Sequence, residues 1–164
     1  MRLKRWVLLW LCVTLSLGAK PLFELTPEMY ASIMVKSMEG NLPQTFKRDG
    51  LSLVVTKVYN EKSKIYIQAT TAHYKGIMEA LKKHRSLPED IQKQCKEFAK
   101  LSFVNQGVNY VLHVEAKNEK PLVVVYDKEA CNAGFDPHQK IFIGGYNRYG
   151  FDQNGYTRKS NPRR

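Results

Sequence analysis

Cysteine and histidine are scarce in this chain, at three and four residues, and neither set is arranged for chemistry. His73, His84, His113 and His138 fall in different segments, and none forms a His-x-x-x-His or His-Glu-x-x-His pair, so no metal site is expected. There is no Gly-x-Ser-x-Gly elbow, and Gly144-Gly145 lacks the Lys-Ser/Thr that would complete a phosphate-cradling loop. Neither Cys95 nor Cys131 sits in a Cys-x-x-Cys motif, which argues against a redox-active pair. Adjacent acids such as Glu89-Asp90 stand at a helix start, where the dipole accounts for them. These absences point to a non-enzymatic protein with no cofactor. Long apolar runs are missing beyond the first segment, so no transmembrane span is expected in the mature chain.

That first segment has a recognisable layout. Basic residues in MRLKR precede the apolar run Trp6–Leu17, and Ser16, Gly18 and Ala19 supply small residues at its end. Residues 1–19 therefore read as a secretory signal peptide cut after Gly18 or Ala19, with an uncleaved anchor as the alternative. Cleavage removes Cys12 and delivers Cys95 and Cys131, an even pair, to an oxidising compartment, periplasmic or extracellular. A bridge between them would contribute about 3–4 kcal/mol by loop entropy. The formal charge is +11, of which the leader holds Arg2, Lys4 and Arg5 and no acid. Beyond Pro137, Lys140, Arg148, Arg158, Lys159, Arg163 and Arg164 face Asp152 alone, so the C-terminus carries most of the remaining excess.

Between these ends the periodicity alternates between helix and strand. Thr26-Pro27-Glu28 is a helix start, with Tyr30, Ile33, Met34 and Met38 on one face and Gly40 as the stop. Leu51–Tyr59 and Lys64–Thr71 are rich in β-branched residues and separated by Asn60-Glu61-Lys62-Ser63, which predicts a hairpin. Helical spacing returns at Tyr74, Ile77, Met78 and Leu81, breaks at Ser86-Leu87-Pro88, and resumes with Ile91, Cys95, Phe98, Ala99 and Ser102 up to Gly107. A second hairpin is expected from Val108–Glu115 and Leu122–Tyr126, with Val108, Tyr110, Leu112 and Val114 inward and Asn109, Val111, His113 and Glu115 outward. The expected fold is α+β, a four-stranded antiparallel sheet from two β-hairpins packed against helices, with one disulfide over residues 20–131. Residues 132–164 would be a flexible basic Gly/aromatic tail.

The layout of Asn41-Leu42-Pro43, a helix bearing Cys95, Asn105-Gln106-Gly107-Val108-Asn109-Tyr110 and Asp127–Cys131 resembles a group of small exported bacterial proteins, mostly without assigned activity. The resemblance covers Thr26 to Cys131, departs at Lys47-Arg48-Asp49, and implies an exported α+β domain. After it, Gly145-Tyr146-Asn147, Gly150-Phe151-Asp152 and Gly155-Tyr156-Thr157 repeat every five residues, similar to the Gly-aromatic-Asp/Asn repeats of some envelope and phage-related proteins. The leading expectation is an accessory or binding protein of the bacterial envelope with a protein partner. The alternative is a polyanion binder, for nucleic acid or anionic polysaccharide, using Arg148, Tyr149, Phe151, Tyr156, Arg158 and Lys159 of the tail together with Lys93, Lys96 and Lys100, which share one helix face.

Overall fold

The structure, a computed structural model, describes residues 25–83 and 89–157. The expected signal peptide, together with His84, Arg85, Arg158 and Lys159, lies outside the described residues.

Helix α1 (Pro27–Glu39) is capped by Thr26, whose hydroxyl accepts the Met29 N–H at 3.3 Å. It buries Ala31 and Val35, one helical turn apart, and half-buries Tyr30, Met34 and Met38 against the same core. Ile33, expected inward, is 48% exposed, because it stands about 200° around the helix from Ala31. The inward stripe is centred on a small residue that lets the helix approach the sheet closely.

Strand β1 (Gln44–Arg48) pairs antiparallel with β2 (Leu51–Glu61), and β2 with β3 (Lys64–Thr70). The first connection is the dipeptide Asp49-Gly50, both residues at positive φ (51° and 78°), which is the geometry a two-residue hairpin turn requires. A register shift between Val55 and Lys57 lets Val55 and Val58 both face the core although they are three positions apart.

After β3 the chain runs through α2 (Tyr74–Lys83) and α3 (Glu89–Leu101) before β4 (Asn109–Glu115), which lies parallel to β3 with Ile65 opposite Tyr110 and Ile67 opposite Leu112. β5 (Leu122–Tyr126), β6 (Ile141–Ile143) and β7 (Tyr146–Asn147) then add antiparallel. The result is a seven-stranded mixed sheet in the order β1-β2-β3-β4-β5-β6-β7.

This corrects the expected four-stranded antiparallel sheet of two hairpins. A helical crossover returns the chain to the end of the sheet from which β3 set out, so the two hairpins meet through a parallel pair. Three further strands join, β1 on one side and β6 and β7 on the other. β6 and β7 are linked by Gly144-Gly145 at φ 59° and 94°, so the sheet continues well past Cys131. The α+β class and the disulfide stand as expected.

Helix α3 also ends earlier than the expected stop at Gly107. Phe103 takes φ 60°, an unfavourable region for a bulky residue, and its ring stacks on Tyr30 at 4.4 Å. A 3₁₀ turn, Val104–Gln106, follows, and it is this turn that Gly107 closes at φ 90°.

All three helices contribute to clusters on one face of the sheet. α1, α3, β2 and β3 enclose Ala31, Val35, Val58, Ile65, Ala99 and Val104, while α2 packs Tyr74, Ile77 and Leu81 against Val114, Leu122 and Ile141. Strand alternation sends Tyr66, Val111, Val123, Val125 and Phe142 to the opposite face, where they form a third, smaller cluster. Val111, assigned above to a polar face, is buried there at 7% exposure because the sheet is apolar on both sides at its centre. Replacing Ile65 or Leu122 with Ala should lower the unfolding free energy in urea by about 2–5 kcal/mol. Ile33→Ala should stay within about 0.5 kcal/mol of the parent protein.

Candidate binding cleft

The Cys95–Cys131 disulfide, with Cα atoms 5.5 Å apart, ties α3 to the 3₁₀ turn Lys128–Cys131 that follows β5. Tyr126, on the helix-facing side of β5, lies against the bridge. Its hydroxyl is 2.7 Å from Cys131 Sγ and 3.1 Å from Cys95 Sγ, and it donates to the Cys95 carbonyl at 3.3 Å. The Phe98 ring meets Tyr126 edge-on at 5.1 Å. Burial pushes the Tyr126 hydroxyl up to about 12, and burial does the same to Tyr110. A neighbouring hollow of about 420 Å³ is walled by Phe98, Val124, Tyr126, Phe135, Pro137 and Ile141 and is almost wholly apolar.

Immediately after β5, Asp127 uses both carboxylate oxygens. Oδ1 accepts the Glu129 and Ala130 amides at 3.1 and 3.2 Å, and Oδ2 accepts from Lys140 Nζ at 2.6 Å. Glu129 reaches the same ammonium at 3.1 Å. Burial alone would lower the Lys140 pKa, but the bonds to Asp127 and Glu129 outweigh it and raise the value. This ion triad anchors the 3₁₀ turn Pro137–Lys140 that leads into β6.

The five-residue repeat is a run of side-chain-capped turns. Asn147 Oδ1 accepts the amides of Tyr149 and Phe151, each at 3.0 Å, and the Asn147 and Phe151 backbones bond at 2.8 Å. Five residues on, Asp152 Oδ1 accepts the amides of Asn154 and Tyr156, each at 2.9 Å, and the Asp152 and Tyr156 backbones bond at 2.9 Å. Gly150 and Gly155, both at φ 83°, occupy the left-handed position that closes each turn. The period thus reflects an Asx-capped turn in each of the first two repeats, with an aromatic just before each capping residue. Tyr149 is further fixed by donating its hydroxyl to Asp136 Oδ2. Burial pulls the Asp136 carboxyl upward, but bonds from Tyr149 and the His138 amide, with His138 and Arg148 nearby, hold it below the usual range.

These turns flank the face of the sheet that carries no helix among the described residues and leave a cleft of about 650 Å³. Tyr66, Val111, Val125 and Phe142 form its apolar part, and Tyr149 and Phe151, 53% and 40% exposed, form its rim. The side chains of Asn109, Gln153 and Asn154 line it without a hydrogen bond among the described residues. Of its charged groups, Asp127, Glu129 and Asp152 outnumber Lys64 and Lys140.

Of the residues singled out from the sequence, Tyr149 and Phe151 reach this cleft, while Arg148 lines a separate hollow near α2. Tyr156 is 67% exposed and lines neither. Lys93, Lys96 and Lys100 are exposed on α3, on the helix-covered side, and Lys100 meets Glu97 at 3.3 Å. The structure does not bring these lysines and the repeat into one cavity. Asn109, Asp127 and Lys140 went unnoticed as site residues because no spacing rule links them. Asn147 and Asp152 could have been found from their five-residue separation ahead of Gly150 and Gly155. Among the described residues, no three His, Cys, Asp or Glu side chains are placed to share a metal ion, and no helix is long and apolar enough to cross a membrane.

The sequence matches no protein-family model and no curated protein. Among solved structures it is similar to a Pseudomonas aeruginosa protein described as a "putative secreted protein", at 14% identity and a TM-score of 0.45, over 70% of this chain and 100% of that one.

Tyr110 and Tyr126 keep their protons in the fold well beyond the ordinary value of 10.0. The stability this confers is present below about pH 10 and lost as pH rises through about 12. In an alkaline titration, two phenolate absorbance changes should appear late and together with loss of the circular dichroism of the fold.

Proposed function

We propose that the chain is an exported, non-enzymatic binding protein of the bacterial envelope that engages a protein partner through the cleft on the helix-free face. The observation that carries this reading is the cleft itself, with its apolar base, two exposed aromatic rings and amide side chains that have no partner among the described residues. Such a combination of concave apolar surface and a few available polar groups is what binding sites share. Export is supported by the basic, apolar and small-residue order of the leader and by the Cys95–Cys131 bridge, which persists in oxidising compartments.

A second reading, a polyanion binder, is favoured by the exposure of Lys93, Lys96 and Lys100 on one face of α3. The excess of carboxylates over ammonium groups in the cleft argues against a polyanion there.

A photo-crosslinker placed at Gln153 in cells should capture a discrete adduct, and one placed at Lys47 on β1 should not. Tyr149→Ala should weaken binding of the captured partner at least about tenfold, or about 1.4 kcal/mol. Capture from Lys96 in place of Gln153, with affinity that falls steeply as salt rises, would favour the polyanion reading and overturn the cleft.

A further inference from the structure

Beside the last strands, α2, β6 and the turn into β7 enclose a second hollow of about 540 Å³, apart from the apolar base of the cleft. Met78, Leu81, Ile141 and Ile143 give it an apolar lining, and Lys82, Arg148, His138 and Tyr146 are among its polar residues. Among the described residues, no carboxylate lines it. Asp136, two residues before His138, already accepts the His138 amide and the Tyr149 hydroxyl.

His138 is only 8% exposed, and its Nε2 atom is buried without a hydrogen-bond partner among the described residues. A buried polar atom of this kind calls for a partner, because leaving it unpaired forfeits its hydration with nothing in return. In its neutral Nε2–H tautomer this nitrogen is a donor. A donor beside two permanent cations, over an aliphatic lining, matches a ligand with an anionic head and an apolar body.

We propose that this hollow binds an amphiphilic anion, with a carboxylate or phosphate head on an aliphatic body. Arg148 and Lys82 neutralise the head, the four aliphatic side chains seat the body, and a turn of the His138 ring brings its buried Nε2 out to donate a hydrogen bond to the head. This site is independent of the cleft assigned to the protein partner, and the two stand or fall separately.

Titration of the purified protein with octanoate, octyl phosphate, octanol and inorganic phosphate tests the proposal, read by calorimetry and by the His138 ring signals in NMR. One or both octyl anions should bind saturably and shift the His138 signals, and their ratio distinguishes a carboxylate from a phosphate source. Octanol and inorganic phosphate should each bind at least tenfold more weakly. Arg148→Gln, at an exposed position, should weaken the anions at least tenfold and leave octanol unchanged. His138→Phe, which keeps the ring volume, should weaken them severalfold. Octanol binding as tightly as octanoate would overturn the anionic head, and inorganic phosphate binding as tightly as octyl phosphate would overturn the apolar body. Unchanged anion affinity in both variants, or no saturable binding of either octyl anion, would overturn the site.

Discussion

Parallel pairing of β3 with β4 obliges the chain to travel back along the sheet between them, and α2 and α3 make that passage on the face that α1 also covers. Strand alternation then divides the molecule. Ile65, Ile67, Tyr110, Leu112, Leu122 and Val124 serve the helix-covered core, and Tyr66, Val111, Val123, Val125 and Phe142 are left on the other side. Among the described residues no helix takes the second face, so its apolar centre is flanked by the C-terminal turns, and the cleft is the space between them and the sheet.

The disulfide reinforces this division. It fastens α3 to the segment just after β5, and its loop-entropy contribution of about 3–4 kcal/mol is large beside the net stability of about 5–15 kcal/mol typical of a domain. Tyr126 fills the corner between helix and strand, with its hydroxyl on both sulfurs and its ring under Phe98. From the same point in the chain, Asp127 turns outward to hold Lys140, so one short segment secures the core on one side and the wall of the cleft on the other. The two cysteines join α3 to the segment after β5 as a disulfide.

Much of this was legible in the residues. The Thr26 cap, the β2–β3 hairpin and the Cys95, Ala99 and Ser102 stripe of α3 rest on local chemistry that a short window contains, and the cysteine pairing on an even count of two, while Phe98, expected on the same stripe, is 50% exposed. Strands β1, β6 and β7 were missed although Asp49-Gly50 and Gly144-Gly145 are strong hairpin turns, because β1 is wholly exposed and β6 is only three residues long, too short for alternation to register. The parallel β3–β4 junction is a long-range choice made by the crossover and has no local signature. The cleft shares that difficulty, since Asn109, Asp127 and Asn154 come together only through sheet order. The repeat was visible as a period, but its cause, Asn147 and Asp152 each capping the turn that follows, needs the backbone to be seen.

The two faces also differ in charge. Exposed lysines gather on α3, and the cleft opposite holds more carboxylates than ammonium groups, so a net charge of +11 says little about what either surface would accept. The cleft depends most on the C-terminal repeat being an ordered wall, and amide hydrogen exchange reads that order directly. The Asn147, Gly150, Asp152 and Gly155 amides, each bonded within the turns, should exchange on the order of tenfold or more slowly than in an unstructured peptide, and Asn147→Ala should release the first turn. Exchange of all four at the rate of free peptide, unchanged by Asn147→Ala, would contradict the account.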